Sequence, residues 1–210
     1  MYLSQLLLDP ASRRVQSELS NRYELHRTLT AQFPTNQPSQ INLLYRLEIP
    51  EPQVYQPITL LVQTAVEPDW SELAGSGLLM GSPQMKTFDT DLPAGARYYF
   101  RLLANPTMRT KQSDGKSKRV GLYSLEAQNE WLQRKALQGG FTVESMKLQD
   151  LGMVESVKKK HNHTYKIKHY AVQIDGLLNV TDPKLFKMSL LKGIGSAKAF
   201  GFGLLSLAKY

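Results

Sequence analysis

Residues on either side of Asp91-Leu-Pro-Ala-Gly95 present the same order of elements, and this repetition narrows the fold more than any other feature. A proline and a glycine so close together interrupt helix and strand alike, so the segment is the expected domain boundary. Before it, Tyr2 to Leu8 alternates and then becomes wholly apolar, as a strand with a buried face does. A polar, basic stretch at Ser12-Arg13-Arg14 leads to an expected helix that starts at Asn21. Glu24 completes a capping-box pattern, and Leu25, Leu29 and Phe33 form the apolar stripe. Strands are expected over 41–49 and 58–66, a helical turn over 70–73 and an extended segment over 78–88.

Beyond the boundary, Arg97 to Leu103 reads as a strand. Residues 107–119 are basic and lack apolar periodicity, which suggests a mobile loop. Ser124 caps a helix whose apolar contacts are assigned to Leu125, Trp131, Leu132 and Leu137, and which stops at Gly139-Gly140. Two strands follow over 141–157 and 164–178, then a helix with Pro183 in its first turn and a last strand over 204–208. Strand-helix-strand-strand-helix-strand, read twice, predicts an α+β chain of two tandem ferredoxin-like (RRM-like) domains, over residues 1–90 and 95–210.

Charge points to the kind of partner. Lys and Arg number 26 against 18 Asp and Glu, a formal net charge of +8, which favours a polyanion. The positive charge is clustered. Lys158, Lys159, Lys160, Lys166 and Lys168 surround the turn His161-Asn162-His163, either as a grip on phosphates or as a solvated hairpin tip. Arg109, Lys111, Lys116, Lys118 and Arg119 make a second cluster, which either orders on RNA or stays a surface loop.

Other chemistries are excluded. With no cysteine there is no disulfide framework and no thiolate zinc site. Zinc on His161, His163 and His169 is the lesser reading, since they lack the acidic or thiolate company such a site usually has, and His-Asn-His alone is not an HNH nuclease motif. No apolar run is long enough to span a membrane, and the apolar start lacks a preceding basic region, so a cytoplasmic protein is expected. There is no aromatic cluster of the RNP kind to stack bases on a sheet face.

Three segments, in this order, carry a resemblance. The first is Met1-Tyr-Leu-Ser-Gln-Leu6 with Tyr23-Glu-Leu-His26-Arg27. The second is Tyr99-Phe-Arg-Leu-Leu-Ala-Asn105-Pro106, followed by the basic residues and Trp131-Leu-Gln-Arg-Lys135. The third is the tail from Gly193 to Leu207, with Gly193, Gly195, Lys198, Gly201 and Gly203. The chain resembles the CasE family of type I-E CRISPR (Cascade) systems along nearly its whole length, less clearly between Pro38 and Asp89. The resemblance implies an endoribonuclease that cuts CRISPR repeat stem-loop RNA at the base of its stem. It would need no metal or other cofactor, would leave a 2′,3′-cyclic phosphate and a 5′-OH, and would remain bound with other Cascade subunits. The bacterial or archaeal cytoplasm is then the expected location.

Tyr23 and His26 resemble the catalytic pair of that family. They stand three apart on the expected helix, on neighbouring positions of one face. Histidine can act as acid or base near neutrality, and a tyrosine hydroxyl can orient a 2′-OH or donate to phosphate. From the residues alone, a structural histidine at the edge of the Leu25-Leu29-Phe33 stripe is the better reading, and the resemblance reverses it. Arg22 and Arg27 flank the pair as a phosphate clamp or as a solvated basic face. The glycine-rich tail does not fit a nucleotide-binding loop, since it precedes a strand and lacks the G-x-x-x-x-G-K-[ST] spacing. It is expected to serve close packing, with RNA contact secondary. The competing functions are a non-catalytic RNA-binding scaffold of the same superfamily and a general nucleic-acid-binding protein.

Overall fold

Tyr2–Leu8 forms strand β1, which turns Ser4, Leu6 and Leu8 inward and Gln5 to solvent. This is the period of two that a half-buried strand requires. The structure is a computed structural model that describes residues 1–33, 38–50, 55–111, 115–160 and 163–210. The turn residues His161 and Asn162, and Asp114 of the second basic cluster, lie outside the described residues, as do the side chains of Lys158, Lys159, Lys160 and His163. The described residues form two compact units. The first comprises Met1–Thr90, Glu155–Ile167 and Ala199–Gly201, and the second Asp91–Val154, Lys168–Lys198 and Phe202–Tyr210. The first unit therefore takes in two stretches from beyond residue 95.

In the first unit, β1 is followed by helices α1 (Arg13–Ser20), α2 (Arg22–Thr30) and α3 (Pro38–Ile41), strands β2 (Leu44–Glu48) and β3 (Ile58–Thr64), helix α4 (Ser71–Gly75) and strand β4 (Gln84–Thr87). The sheet order is β2-β3-β1-β4, with β1 antiparallel to both neighbours. This is the split-βαβ arrangement of a ferredoxin-like domain. Its core gathers Leu6, Leu8, Val15, Leu25, Leu29 and Leu60, with Trp70 donating from its indole to Ser4 Oγ at 2.9 Å. That bond satisfies the polar atom a buried tryptophan carries inward.

Two expectations about the first helix need correction. The basic stretch at Arg13-Arg14 opens a helix of its own, because Val15 and Glu18 supply a buried edge and Glu18 accepts from Arg14 (3.0 Å) and Thr28 (2.8 Å). Asn21 does not cap α2 with its side chain. Its amide instead donates to the Val157 carbonyl (2.9 Å) and its Oδ1 accepts from the Val157 amide (3.1 Å), while Glu24 pairs with Arg27. An amide side chain reproduces both halves of a backbone ladder bond, and that pairing outcompetes the capping box.

After residue 91 the order is β5 (Arg97–Ala104), β6 (Thr107–Lys111), β7 (Ser117–Gly121), α5 (Leu125–Gln138), β8 (Phe141–Lys160), β9 (His163–Val180), α6 (Pro183–Lys192), a 3-10 turn at Lys198–Phe200 and β10 (Leu205–Lys209). The second unit takes all of these but Glu155–Ile167, which ends β8 and begins β9, and Ala199–Gly201. The sheet order β10-β5-β9-β8 is again that of a ferredoxin-like domain, with β6 and β7 as a separate two-stranded ribbon. Over Thr107–Lys111 and Ser117–Arg119 the strands of that ribbon stand where a mobile loop was expected, and residues 112–114 of that stretch lie outside the described residues. On α5, Ser124 caps the helix as expected, accepting from the Ala127 amide, and Trp131, Leu132 and Ala136 are buried. Leu125 and Leu137 were expected to pack and are instead 64% and 78% exposed. Asp182 caps α6 by accepting from Lys184 and Leu185, with Pro183 in the first turn, where its missing N–H costs nothing. Among the described residues no helix is long and apolar enough to cross a membrane.

Candidate active site

Helix α2 carries Tyr23 and His26. Leu25 and Leu29 anchor its opposite edge in the core, which fixes the rotation of the helix and leaves Tyr23 and His26 half-buried at the margin. The His26 ring stacks near Tyr45, with centroids 6.4 Å apart and planes 19° apart. Its Nδ1 is enclosed and has no hydrogen-bond partner, which leaves Nε2 as the nitrogen able to meet a substrate. Burial pushes the imidazole below its ordinary pKa near 6.5, so the ring is neutral at pH 7 and one nitrogen offers a lone pair. A buried polar atom without a protein partner in a native fold marks strain, a bound water or a working group, and on a half-buried histidine at the margin of the core the last is the one with a use for it.

A brace assembles around this helix. Tyr45, on β2, is fully buried, and its hydroxyl shares its one hydrogen between the carbonyls of Arg22 and Ala199, each 3.1 Å away. Burial raises the phenol well above its ordinary pKa, against the pull of Arg22, so it stays a donor. Arg22 donates to the Phe200 carbonyl at 3.2 Å, and the Tyr23 and Phe200 rings meet at 6.5 Å. Gly201 has φ +84°, and a Cβ there would sit 2.9 Å from the Tyr45 ring. The glycine is thus required twice, for its backbone conformation and for the close approach of the ring. Part of the glycine-rich tail is in this way bound to the start of α2. Replacing Tyr45 by Phe is expected to lower the unfolding free energy by about 1–3 kcal/mol, because two buried carbonyls lose their donor. An unchanged urea midpoint would show that Arg22 alone holds the segment.

The other sequence candidates are spread over both units. Arg22, expected to face phosphate or solvent, is buried and spends a donor on the Phe200 carbonyl, and burial depresses its pKa. Arg27 is exposed and pairs with Glu24 at 2.9 Å. Lys116, Lys118 and Arg119 are exposed, Lys116 just before β7 and the other two on it, and Lys166 and Lys168 are exposed on β9. Lys158, Lys159 and Lys160 end β8. Gly193 follows α6, Gly195 has φ +86° with the Trp131 indole where a Cβ would be, Lys198 begins the 3-10 turn, and Gly203 accepts from the Ile194 amide. Of the three histidines weighed for zinc, His169 contacts Asn105 at 3.0 Å through Nδ1, and no cluster of three or more potential metal ligands occurs among the described residues. Sequence reasoning missed Tyr45. Its signal, a tyrosine within the apolar run Leu43-Leu44-Tyr45, is faint because a strand tolerates an aromatic anywhere.

The chain matches the family of CRISPR associated proteins over residues 1–209. It is 37% identical to the CRISPR-associated endoribonuclease Cse3 of Thermus thermophilus, over 99% of this chain and all of that one. It is 28% identical to the CRISPR system Cascade subunit CasE of Escherichia coli K12, over 99% of both chains. Among solved structures it is similar to CRISPR endoribonuclease Cse3 bound to 19-nt RNA, with a TM-score of 0.86 and 36% identity, covering 99% of this chain and all of that one.

Proposed function

This chain belongs to the CRISPR-associated protein family, and from that premise we propose that it is an endoribonuclease that cuts CRISPR repeat RNA and stays with the product as a Cascade subunit. The observation that carries the reading is His26, a neutral imidazole with an enclosed Nδ1, on the same helix face as Tyr23, in a chain matched end to end by an endoribonuclease. Cleavage then runs without a metal. His26 Nε2 removes the proton of the 2′-OH before the cut, and the 2′-oxygen attacks the adjacent phosphorus. The bond to the 5′-oxygen breaks, that oxygen takes up a proton from water, and His26 returns the proton it removed to solvent. The products are a 2′,3′-cyclic phosphate and a 5′-OH. Tyr23 donates its hydroxyl hydrogen to a phosphate oxygen as negative charge builds there. Arg27 is the second donor. Its exposed pairing with Glu24 is worth only about 0.2–1 kcal/mol and yields readily to a phosphate. The bacterial or archaeal cytoplasm is the proposed setting.

The pH dependence follows from the depressed imidazole. A base must be unprotonated, so kcat/KM rises with pH up to a value below 6.5 and is flat above it. The check is single-turnover cleavage at subsaturating protein between pH 5 and pH 8. A rate that instead falls across that range makes His26 the acid.

Grip on the stem is assigned to the basic hairpin with Lys158, Lys159, Lys160, Lys166 and Lys168. Each phosphate contact releases counterions, which contributes roughly −0.7 to −0.9 to the slope of log affinity against log salt. Changing Lys158, Lys159 and Lys160 together to Ala is expected to flatten that slope for a repeat stem-loop. Identical slopes in the two proteins would leave these lysines as a solvated tip.

A further inference from the structure

Asn21 stands immediately before the helix that carries Tyr23 and His26, and its side chain is committed to a distant stretch of chain. The amide donates to the Val157 carbonyl at 2.9 Å, and its Oδ1 accepts from the Val157 amide at 3.1 Å. Both residues belong to the first unit, although 136 positions separate them. Val157 lies on β8, and Lys158, Lys159 and Lys160 follow it at the end of that strand. The root of the basic hairpin is therefore latched to the start of the helix that bears the cutting pair.

Two bonds to one residue set a register as well as a contact. In a strand, the N–H and C=O of successive residues point to opposite sides. A slip of β8 by one residue, about 3.3 Å, would offer Asn21 neither partner. The next residue is held too, since the Arg22 carbonyl accepts from the buried Tyr45 hydroxyl at 3.1 Å. From there the helix, with a rise of about 1.5 Å per residue, carries the placement on to Tyr23 and His26. The path from Val157 to the imidazole thus runs through a paired hydrogen bond and little more than one helical turn. The side chain spends nothing on α2 itself, for which it makes no cap bond.

We propose that Asn21 is a positioning residue, which keeps the hairpin in register with His26 and so decides which phosphodiester bond is presented for cleavage. It touches neither RNA nor the reacting atoms. A stem gripped by the hairpin is held at a set distance from the imidazole as long as the latch is closed. The proposal rests on the reading of the chain as a repeat-RNA endoribonuclease whose basic hairpin grips the stem, and it adds the residue that couples grip to cut.

The test is single-turnover cleavage by the full-length Asn21→Ala protein of a repeat stem-loop from the host's own CRISPR array, with the product ends mapped and the affinity titrated alongside. Misplacement by about 1 Å can cost about 10²-fold, so the rate at saturating protein is expected to fall by roughly tenfold to a hundredfold while the affinity stays within about twofold. A share of the products should end at linkages next to the wild-type cut. The same substitution is then made in the protein with Lys158, Lys159 and Lys160 changed to Ala. With no grip left to keep in register, it should cost far less there, whereas a residue that only supports the fold gives losses that add. Should the urea transition show that the alanine protein is unfolded, Asn21→Asp takes its place with the same expected split, since it keeps the acceptor for the Val157 amide and loses the donor to its carbonyl. Wild-type rate and cut site in the variant, rate and affinity lost in step, or additive losses each overturn the proposal. Failure of the enzymatic reading shows separately, as wild-type protein that binds the stem-loop and leaves it uncut.

Discussion

Changing His26 to Ala lowers single-turnover cleavage of a repeat stem-loop by about 10²-fold or more, the usual scale for losing a positioned acid or base, while the affinity for RNA changes little. The separation of rate from binding follows from where the residue sits. His26 lies at the margin of the core with an enclosed Nδ1, so its ring offers substrate one nitrogen and no charge at pH 7. It therefore adds little to phosphate binding. Its neighbours on α2 that reach the core, Leu25 and Leu29, are untouched by the substitution, so the helix keeps its place. Truncation of the ring removes the stack on Tyr45, but the Tyr45 hydroxyl still holds the carbonyls of Arg22 and Ala199. Tyr23→Phe is expected to cost less, because one hydrogen bond to the developing charge is lost and the proton acceptor remains. The measurement is the first-order rate at saturating protein together with a filter-binding titration. Wild-type cleavage by the His26→Ala protein would sink the mechanism and favour a scaffold that binds RNA without cutting it.

What the sequence disclosed depended on how each element is stabilised. Leu25, Leu29 and Phe33 announced α2 because burial imposes a period, and all three are buried. The ribbon of β6 and β7 left no such trace. Met108 is 44% exposed and both strands are largely in solvent, so ladder bonds rather than burial hold the pair, and no apolar periodicity was there to read. Leu125 and Leu137 misled for the converse reason, since α5 buries Gln128, Trp131, Leu132 and Ala136 and leaves those leucines to solvent. The site was legible only in part. Tyr23 and His26 share a helix, so their spacing was visible in the chain. Tyr45 and Gly201 act on that helix from 19 and 175 positions beyond His26, and a pairing of that kind is set by the fold and not by local pattern. The same holds for Asn21, whose letter and spacing suit a helix cap but whose side chain is taken by Val157.

A repeat stem-loop whose nucleotide before the cut is 2′-deoxy is expected to bind normally and to show no detectable cleavage, the largest effect of any single change considered. The 2′-oxygen is the nucleophile in this mechanism, and no side chain here can replace it. The chain has no cysteine, and besides His26 helix α2 carries Tyr23 and Arg27, the latter paired with Glu24, while the buried Tyr45 ring lies 6.4 Å from the imidazole. A mechanism that activates water instead would attack the phosphorus from solvent, would be indifferent to the 2′-position and would leave a linear phosphate. A metal-dependent route of that kind also requires carboxylates to hold the ion, and α2 carries a single one, Glu24, which pairs with Arg27. The two mechanisms therefore separate in one experiment, in which wild-type protein is given the ribose and 2′-deoxy substrates, each with EDTA and with Mg²⁺. Cleavage of the ribose substrate at equal rates in EDTA and Mg²⁺, with a 2′,3′-cyclic end and none from the deoxy substrate, is the expected pattern. Cutting of the deoxy substrate, or activity that disappears in EDTA and returns with Mg²⁺, would remove His26 from the role of base toward the 2′-OH.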